Sequence, residues 1–401
     1  MTKWTNKLFL DLSTSDLPRS MHSGGESSKN PAVKGRPCVR RFGIAALRGR
    51  RAMIVRSEQK LANGRTLTKW ELINRSGAKV AVMDLGATLL SVTVPDRRQK
   101  LGDVTLCHAR LDDYLTHRQF FGGIVGRYAN RLAGASFRVG GQSFRLQPNE
   151  GPNLLHGGED GFDRRFWRGD IVETPDGEGV RLEILSPDGD QGFPGELRVT
   201  VTYVWTEDNR LITDFSATTT RPCPVNLTLH GYWNLGGDEA GNGIGEHQLQ
   251  LFADQYLPRT ADGIPTGSIE SVTNTPFDFR VSQPLSNHLE RLDGQAGGDI
   301  GIDHCWAVRG SGLRPAALLY DPASGRTLTI DTDQPGIQVY TADHLDATIL
   351  RRGGLPCEPR CAIALETQQF PDAPNQPNFP DPTLRPETIW HSRTVYSFSV
   401  R

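Results

Sequence analysis

Between Leu197 and Phe215 the chain changes character every second residue. Leu197, Val199, Val201 and Tyr203 are apolar or aromatic, and Arg198, Thr200 and Thr202 separate them. Glu207, Asp208 and Asn209 then interrupt with turn-forming side chains, and Leu211, Thr213 and Phe215 resume the pattern. A side-chain period of two puts one set on each face of a strand, which a helix cannot do. The segment therefore predicts a β-hairpin with one buried face. A second hairpin is predicted from Phe137 and Val139, through Gly140–Gly141, to Phe144 and Leu146. A third is predicted from Leu328 and Ile330, through Asp333-Gln334-Pro335-Gly336, to Ile337 and Val339.

Glycine (43) and proline (26) are scattered along the 401 residues, so long capped helices have little room. Strand after strand with few helices predicts an all-β chain, built as an antiparallel sandwich or barrel. No internal repeat is visible, and no change of composition inside 55–401 marks a linker. Residues 53–401 are therefore expected to form one catalytic domain. Residues 1–52, rich in Ser, Gly and Arg without periodicity, are expected to be a disordered extension. Met53 as the true start and a targeting peptide are alternative readings of that stretch. Leu8, Phe9 and Leu10 are stopped by Asp11 before a signal-peptide core can form.

The formal net charge of −1 gives no electrostatic footprint for nucleic acid or an anionic membrane. No apolar run approaches the length of a membrane span. Cysteines stand at 38, 107, 223, 305, 357 and 361, and only the last two are close. They read as free thiols in a reducing, cytoplasmic setting, and no second pair completes a zinc site. Gly241 to Glu246 is a near miss to a dinucleotide fingerprint and lies in no βαβ unit. No phosphate-binding lysine loop, zinc-protease motif or serine nucleophile elbow occurs.

Five polar clusters exceed what a plain sandwich needs. They are Gly126-Arg127-Tyr128-Ala129-Asn130-Arg131; Asn149 with Asn153-Leu154-Leu155-His156-Gly157-Gly158 and Gly161-Phe162-Asp163; Asn226 to Leu235 around His230; Gly301-Ile302-Asp303-His304; and Leu365-Glu366-Thr367-Gln368 with Pro371 to Pro377. Taken singly, His156 reads more readily as a turn residue, His230 as a satisfied core histidine, and Arg131 with Asp303 as an ordinary ion pair. Glu366 is more informative, because it ends the apolar run Cys361 to Leu365. A carboxylate entering a core is costly unless it is paired or functional.

In this order, and with this terminal run, the five clusters resemble the aldose 1-epimerase (galactose mutarotase) family from about residue 65 onward. Asp84-Leu85-Gly86-Ala87 and Val94-Pro95-Asp96 add to the resemblance. It implies a large antiparallel β-sandwich with a shallow sugar cleft. It also implies Glu366 as catalytic base, His230 as catalytic acid and His156 as the second histidine of the site. Asn130, Arg131, Asp303 and Gln338 are implied to hold sugar hydroxyls. Leu229, Gly231, Trp233 and Ile302 depart from the usual pattern and bear on sugar preference.

The implied reaction opens and recloses an aldose ring, with galactose and glucose as default substrates. One group must take the C1 hydroxyl proton while another protonates the ring oxygen. A glutamate with a pKa near about 4.3 and a histidine near about 6.5 suit the two tasks. Neither metal nor organic cofactor is needed. Trp233 and Phe370 offer aromatic faces, either to a sugar or to the core. A hexose-6-phosphate 1-epimerase, a glycoside hydrolase using Glu366 with Asp303, and a non-catalytic sugar-binding protein remain as alternatives. The expected partner is a small sugar alone, and the expected state is a monomer or weak homodimer.

Overall fold

The computed structural model describes residues 53–237, 243–293 and 301–401. The extension expected over 1–52 lies outside the described residues. All of the described residues fall within one compact unit, Leu47–Arg401.

Alternation becomes sheet as expected. Leu197–Trp205 pairs antiparallel with Arg210–Thr219, Val201 opposite Phe215, and Val199, Val201 and Tyr203 are fully buried. The strand Ser136–Val139 likewise pairs with Gln142–Arg145. The two larger sheets are built around such ladders. Nine strands run in the order Arg168–Thr174, Gly177–Ser186, Leu197–Trp205, Arg210–Thr219, Trp390–Val400, Arg326–Thr332, Arg314–Tyr320, Gln248–Leu251 and Gln283–Pro284. Six run in the order Tyr232–Trp233, Ile363–Gln368, Gly336–Tyr340, Asp303–Val308, Ala253–Leu257 and Glu270–Ser271. A five-stranded sheet from Met53–Lys60 to Leu101–Asp103 completes the sandwich. One apolar core joins residues of all three, among them Val80, Val201, Trp233, Leu319, Ile337 and Leu365.

The third predicted hairpin does not form. Arg326–Thr332 pairs with Trp390–Val400 in the nine-stranded sheet, whereas Gly336–Tyr340 pairs with Asp303–Val308 and Ile363–Gln368 in the six-stranded one. The turn between them carries the chain from one sheet to the other. Asp333 is held on the first sheet by Arg393, exchanging backbone and side-chain hydrogen bonds at 3.2 and 3.0 Å. Arg314 bonds the carbonyls of Thr332 and Gln334 on either side, at 2.7 and 2.8 Å. Turn chemistry marks where the chain reverses, but which strand it then pairs with is decided by burial on the new face.

Ile363–Gln368 lies inside its sheet and is buried along its whole length, so the apolar run through Leu365 packs into the core while Glu366, Thr367 and Gln368 are buried polar side chains. Among the described residues no helix is long and apolar enough to cross a membrane.

Candidate active site

The six-stranded sheet fixes three of the candidate residues by register. Gln338 stands directly opposite Glu366, and Cys305, two residues beyond Asp303, stands opposite Gln338 on its other side. One face therefore carries Asp303, Gln338 and Glu366 in a row. Gln338 Nε2 donates to Asp303 Oδ1 at 2.6 Å.

The remaining four come from short pairings beside that sheet. Arg131–Leu132 pairs with Leu154–Leu155, which brings Arg131 opposite Leu155 and next to His156. Asn130 and His156 both have left-handed backbones, with φ of 63° and 51°. The Asn130 amide donates to His156 Nδ1 at 3.2 Å, and the His156 amide donates to the Asn130 carbonyl at 3.1 Å. A ring nitrogen that accepts must be unprotonated, so neutral His156 carries its proton on Nε2. Gly157 explains the glycine that follows. A Cβ there would lie 1.9 Å from the Gly126 carbonyl oxygen, at φ of 80°. His230 is placed by Thr228–Leu229, which pairs with Ile124–Val125.

All seven predicted residues line one cavity of about 260 Å³. His230 Nε2 approaches Glu366 Oε1 to 3.6 Å. His156 and His230 meet edge to face, with ring centroids 5.2 Å apart. Phe120 and Tyr232 each stack nearly parallel to the His230 ring, with centroids 5.6 and 4.9 Å away. Arg131 gives Nε and Nη2 to Glu150 at 2.7 and 2.9 Å and turns Nη1 toward Asp303 at 3.5 Å.

Burial moves the titrating groups of the site away from their ordinary pKa values. Glu366 is held well above the carboxylate range by desolvation, and Asp303 adds to this while Arg131 opposes it. His230 is pushed down to about 4 by desolvation, against a weaker pull from Asp303. His156 is also driven down, first by burial and then by His230, Arg131 and Arg118. Burial works against the Asp303 carboxylate as well, but Arg131, Arg259 and Gln338 outweigh it and keep its pKa low. His230 is therefore neutral at neutral pH, and burial favours the protonated form of Glu366.

Other marked residues serve the fold. Arg127 is buried and donates to the carbonyls of Ser186, Pro187, Pro194 and Gly195. Asp163 takes both arms of Arg118, at 2.9 and 2.8 Å. Trp233 packs on Tyr396 and Phe398, and Phe370 on Phe379, so both aromatic faces belong to the core. A larger cleft of about 1420 Å³ lies elsewhere and contains none of the seven. One of its guanidiniums, Arg326, is spent on the carbonyls of Val94, Leu235 and Lys100.

Phe120, Tyr232, Glu150, Arg118, Tyr340 and His344 also line the smaller cavity. None was singled out from sequence for the site. Glu150 carried a readable signal, a carboxylate at the turn just before Asn153 and the histidine run.

Comparison with known proteins identifies the family. The family model for aldose 1-epimerase matches residues 68–397. The chain is similar to the human galactose mutarotase, at 38% identity over 340 residues, covering 84% of this chain and 96% of that protein. It is similar to the aldose 1-epimerase of Haemophilus influenzae, at 41% identity over 326 residues, 80% of this chain and 93% of that one. Among solved structures, an aldose epimerase homologue from C. elegans superposes with a TM-score of 0.75 and 31% identity, covering 82% of this chain and 98% of its own. A galactose 1-epimerase from Lactobacillus acidophilus gives 0.74 at 26% identity, covering 87% and 99%.

Proposed function

This chain belongs to the aldose 1-epimerase family, and from that premise we propose that it interconverts the α and β anomers of free aldohexoses, galactose and glucose among them. Glu366 takes the C1 hydroxyl proton and His230 delivers a proton to the ring oxygen. The C1–O5 bond opens to the aldehyde, C1 rotates, and reclosure from the other face returns both protons. The observation that carries this reading is the approach of His230 Nε2 to Glu366 Oε1, 3.6 Å apart in a narrow cavity.

The protonation states follow from the burial. A carboxyl with a raised pKa is a stronger base when ionised, and an imidazolium with a depressed pKa is a stronger acid. The reacting form carries one proton between Glu366 and His230. The form with that proton on His230 is the one that attacks. His156 presents Nε2–H as a donor to a sugar hydroxyl, and Asn130, Arg131, Asp303 and Gln338 hold the others.

A phosphorylated hexose would need an uncommitted cation. Arg118 gives Nε and Nη2 to Asp163 and Arg131 gives the same two nitrogens to Glu150, so each cation is already paired with a carboxylate, which favours a neutral sugar. The enzyme acts as a cytoplasmic monomer or weak homodimer.

Polarimetry of freshly dissolved α-D-galactose and α-D-glucose tests the proposal. The protein should speed the approach to equilibrium, and Glu366→Gln should abolish the acceleration with its circular dichroism unchanged. Undiminished rates in that variant would overturn the assigned roles.

A further inference from the structure

Arg131 is enclosed on three sides. Glu150 takes Nε and Nη2 in a two-pronged pair, and Asp303 faces Nη1. Gly263 closes the third side. A Cβ there would lie 2.7 Å from Nε and Cζ, and the backbone is left-handed at φ of 75°.

Glu150 is itself held rigidly. Its amide and carbonyl both bond Asn153, at 3.1 and 2.9 Å, closing a tight turn around Gly151. One residue earlier, Asn149 bonds both the carbonyl and the amide of Leu155, at 3.0 and 2.7 Å. Leu155 is in turn the register partner of Arg131. The turn and the strand carrying the arginine therefore form one braced unit. A carboxylate on such a turn fixes the plane of a guanidinium, because both prongs must be satisfied together. The arginine edge left over is the one turned to Asp303 and the cavity.

We propose that Glu150 is a positioning residue for the epimerase reaction: it locks the Arg131 guanidinium so that only the Nη1 edge is offered to Asp303 and the sugar, and it keeps that cation unavailable to an anionic substrate. This rests on the epimerase assignment above. A plain stabilising ion pair would leave catalysis untouched, whereas a locked guanidinium sets substrate affinity and the field at Glu366. Besides Arg131, the groups facing Glu366 are Asp303, His230, Tyr232, Cys305 and Tyr396.

The test uses the full chain with Glu150→Gln and Glu150→Asp. Glu150→Gln should lower kcat/KM for galactose about tenfold or more, mainly through KM, since a charged hydrogen-bond pair is disrupted. Arg131, no longer neutralised, should move the alkaline limb of the rate profile to lower pH. Glucose 6-phosphate should become a stronger competitive inhibitor. Glu150→Asp, which keeps the charge, should recover much of all three. Kinetic constants, inhibition and pH profile all within twofold of the parent would overturn the proposal. The side-chain Nε–H resonance of Arg131, read in arginine-labelled protein, supplies a test independent of turnover. It should exchange slowly in the parent and rapidly in Glu150→Gln, and an unchanged signal would likewise overturn the proposal. A parent protein without anomerase activity would instead sink the epimerase assignment, with the Arg131 signal still deciding whether Glu150 holds it.

Discussion

His230 Nε2 stands 3.6 Å from Glu366 Oε1, too far for a hydrogen bond, and both side chains are 4% exposed or less. At that separation an imidazolium and a carboxylate attract as an ion pair but do not share a proton directly. In the proposed reaction a substrate unit with two oxygens on one carbon supplies the missing contacts, and the active form holds one proton across the pair.

The pH dependence follows from that count. Adding a second proton requires protonating His230, whose pKa lies at about 4. Removing the shared proton is governed by the raised carboxyl of Glu366. The rate should therefore be bell-shaped, with an acid limb near pH 4 and an alkaline limb above the ordinary carboxylate range. Polarimetry from pH 3.5 upward reads both. A rate that rises through pH 6–7 as though an ordinary histidine had to lose its proton would contradict the assignment.

Because the two groups act as one unit, their losses should not add. Glu366→Gln and His230→Asn should each reduce the rate by about 10²–10⁴-fold, and the double variant should fall little further. A double variant showing the product of the two losses would mean that the residues act independently.

Much of this site was readable before any coordinates, and the unread part has physical causes. Glu366 stood out because a carboxyl closing the run Cys361 to Leu365 has to be explained, and the fold buries it on the six-stranded sheet opposite Gln338. His156 and its two glycines were readable because a left-handed stretch needs them. The contact of Arg131 with Asp303 spans 172 residues, and no local pattern encodes it. Phe120 and Tyr232 look like any aromatic in a β protein until the fold stacks them on His230. The failed hairpin at Asp333–Gly336 has the same origin, since a turn fixes reversal but not partnership.

The departures at 231 and 233 are coupled by shape. A Cβ on Gly231 would lie 2.9 Å from Trp233 Cζ2, and Trp233 is wholly buried. Gly231→Ser alone should cost about 1–3 kcal/mol by overpacking. Trp233→Phe makes the room, so the double variant should be more stable than the sum of the singles by about 1 kcal/mol or more. Urea unfolding of the three variants measures the coupling, and strict additivity would refute it.

Gly157 and Gly140 separate close approach from backbone conformation. Both have positive φ, 80° and 57°, but a methyl at 157 would meet the Gly126 carbonyl at 1.9 Å whereas nothing lies within 4 Å of one at 140. Gly140→Ala should cost only the left-handed penalty, about 1–2 kcal/mol. Gly157→Ala must move two backbone segments and His156 with them, and should cost more than about 3 kcal/mol. Equal losses in thermal unfolding would show that the contact at 157 relaxes freely.

Stability should also depend on a histidine far from the chemistry. His247 Nε2 accepts the Leu235 amide at 2.9 Å, which fixes a neutral ring with its proton on Nδ1. Burial pushes its pKa down to about 4, opposed only weakly by Asp321. The unfolded chain takes up this proton near pH 6.5, and the folded one refuses it until about 4. Above pH 6.5 neither state binds it, so the full contribution is present there. As pH falls through the window the unfolded state gains the proton first, and stability is lost at up to about 1.4 kcal/mol per pH unit. His247→Gln keeps an acceptor for Leu235 but cannot titrate. Its urea-unfolding free energy should therefore fall less steeply between pH 6.5 and 4 than that of the parent, by roughly one proton's worth of slope. His108 and His304, also buried and depressed, keep a residual slope in the variant. Parallel curves for the two proteins would show that His247 takes up its proton at the same pH in the folded and the unfolded chain, and the buried neutral ring inferred from its contact with Leu235 would be wrong.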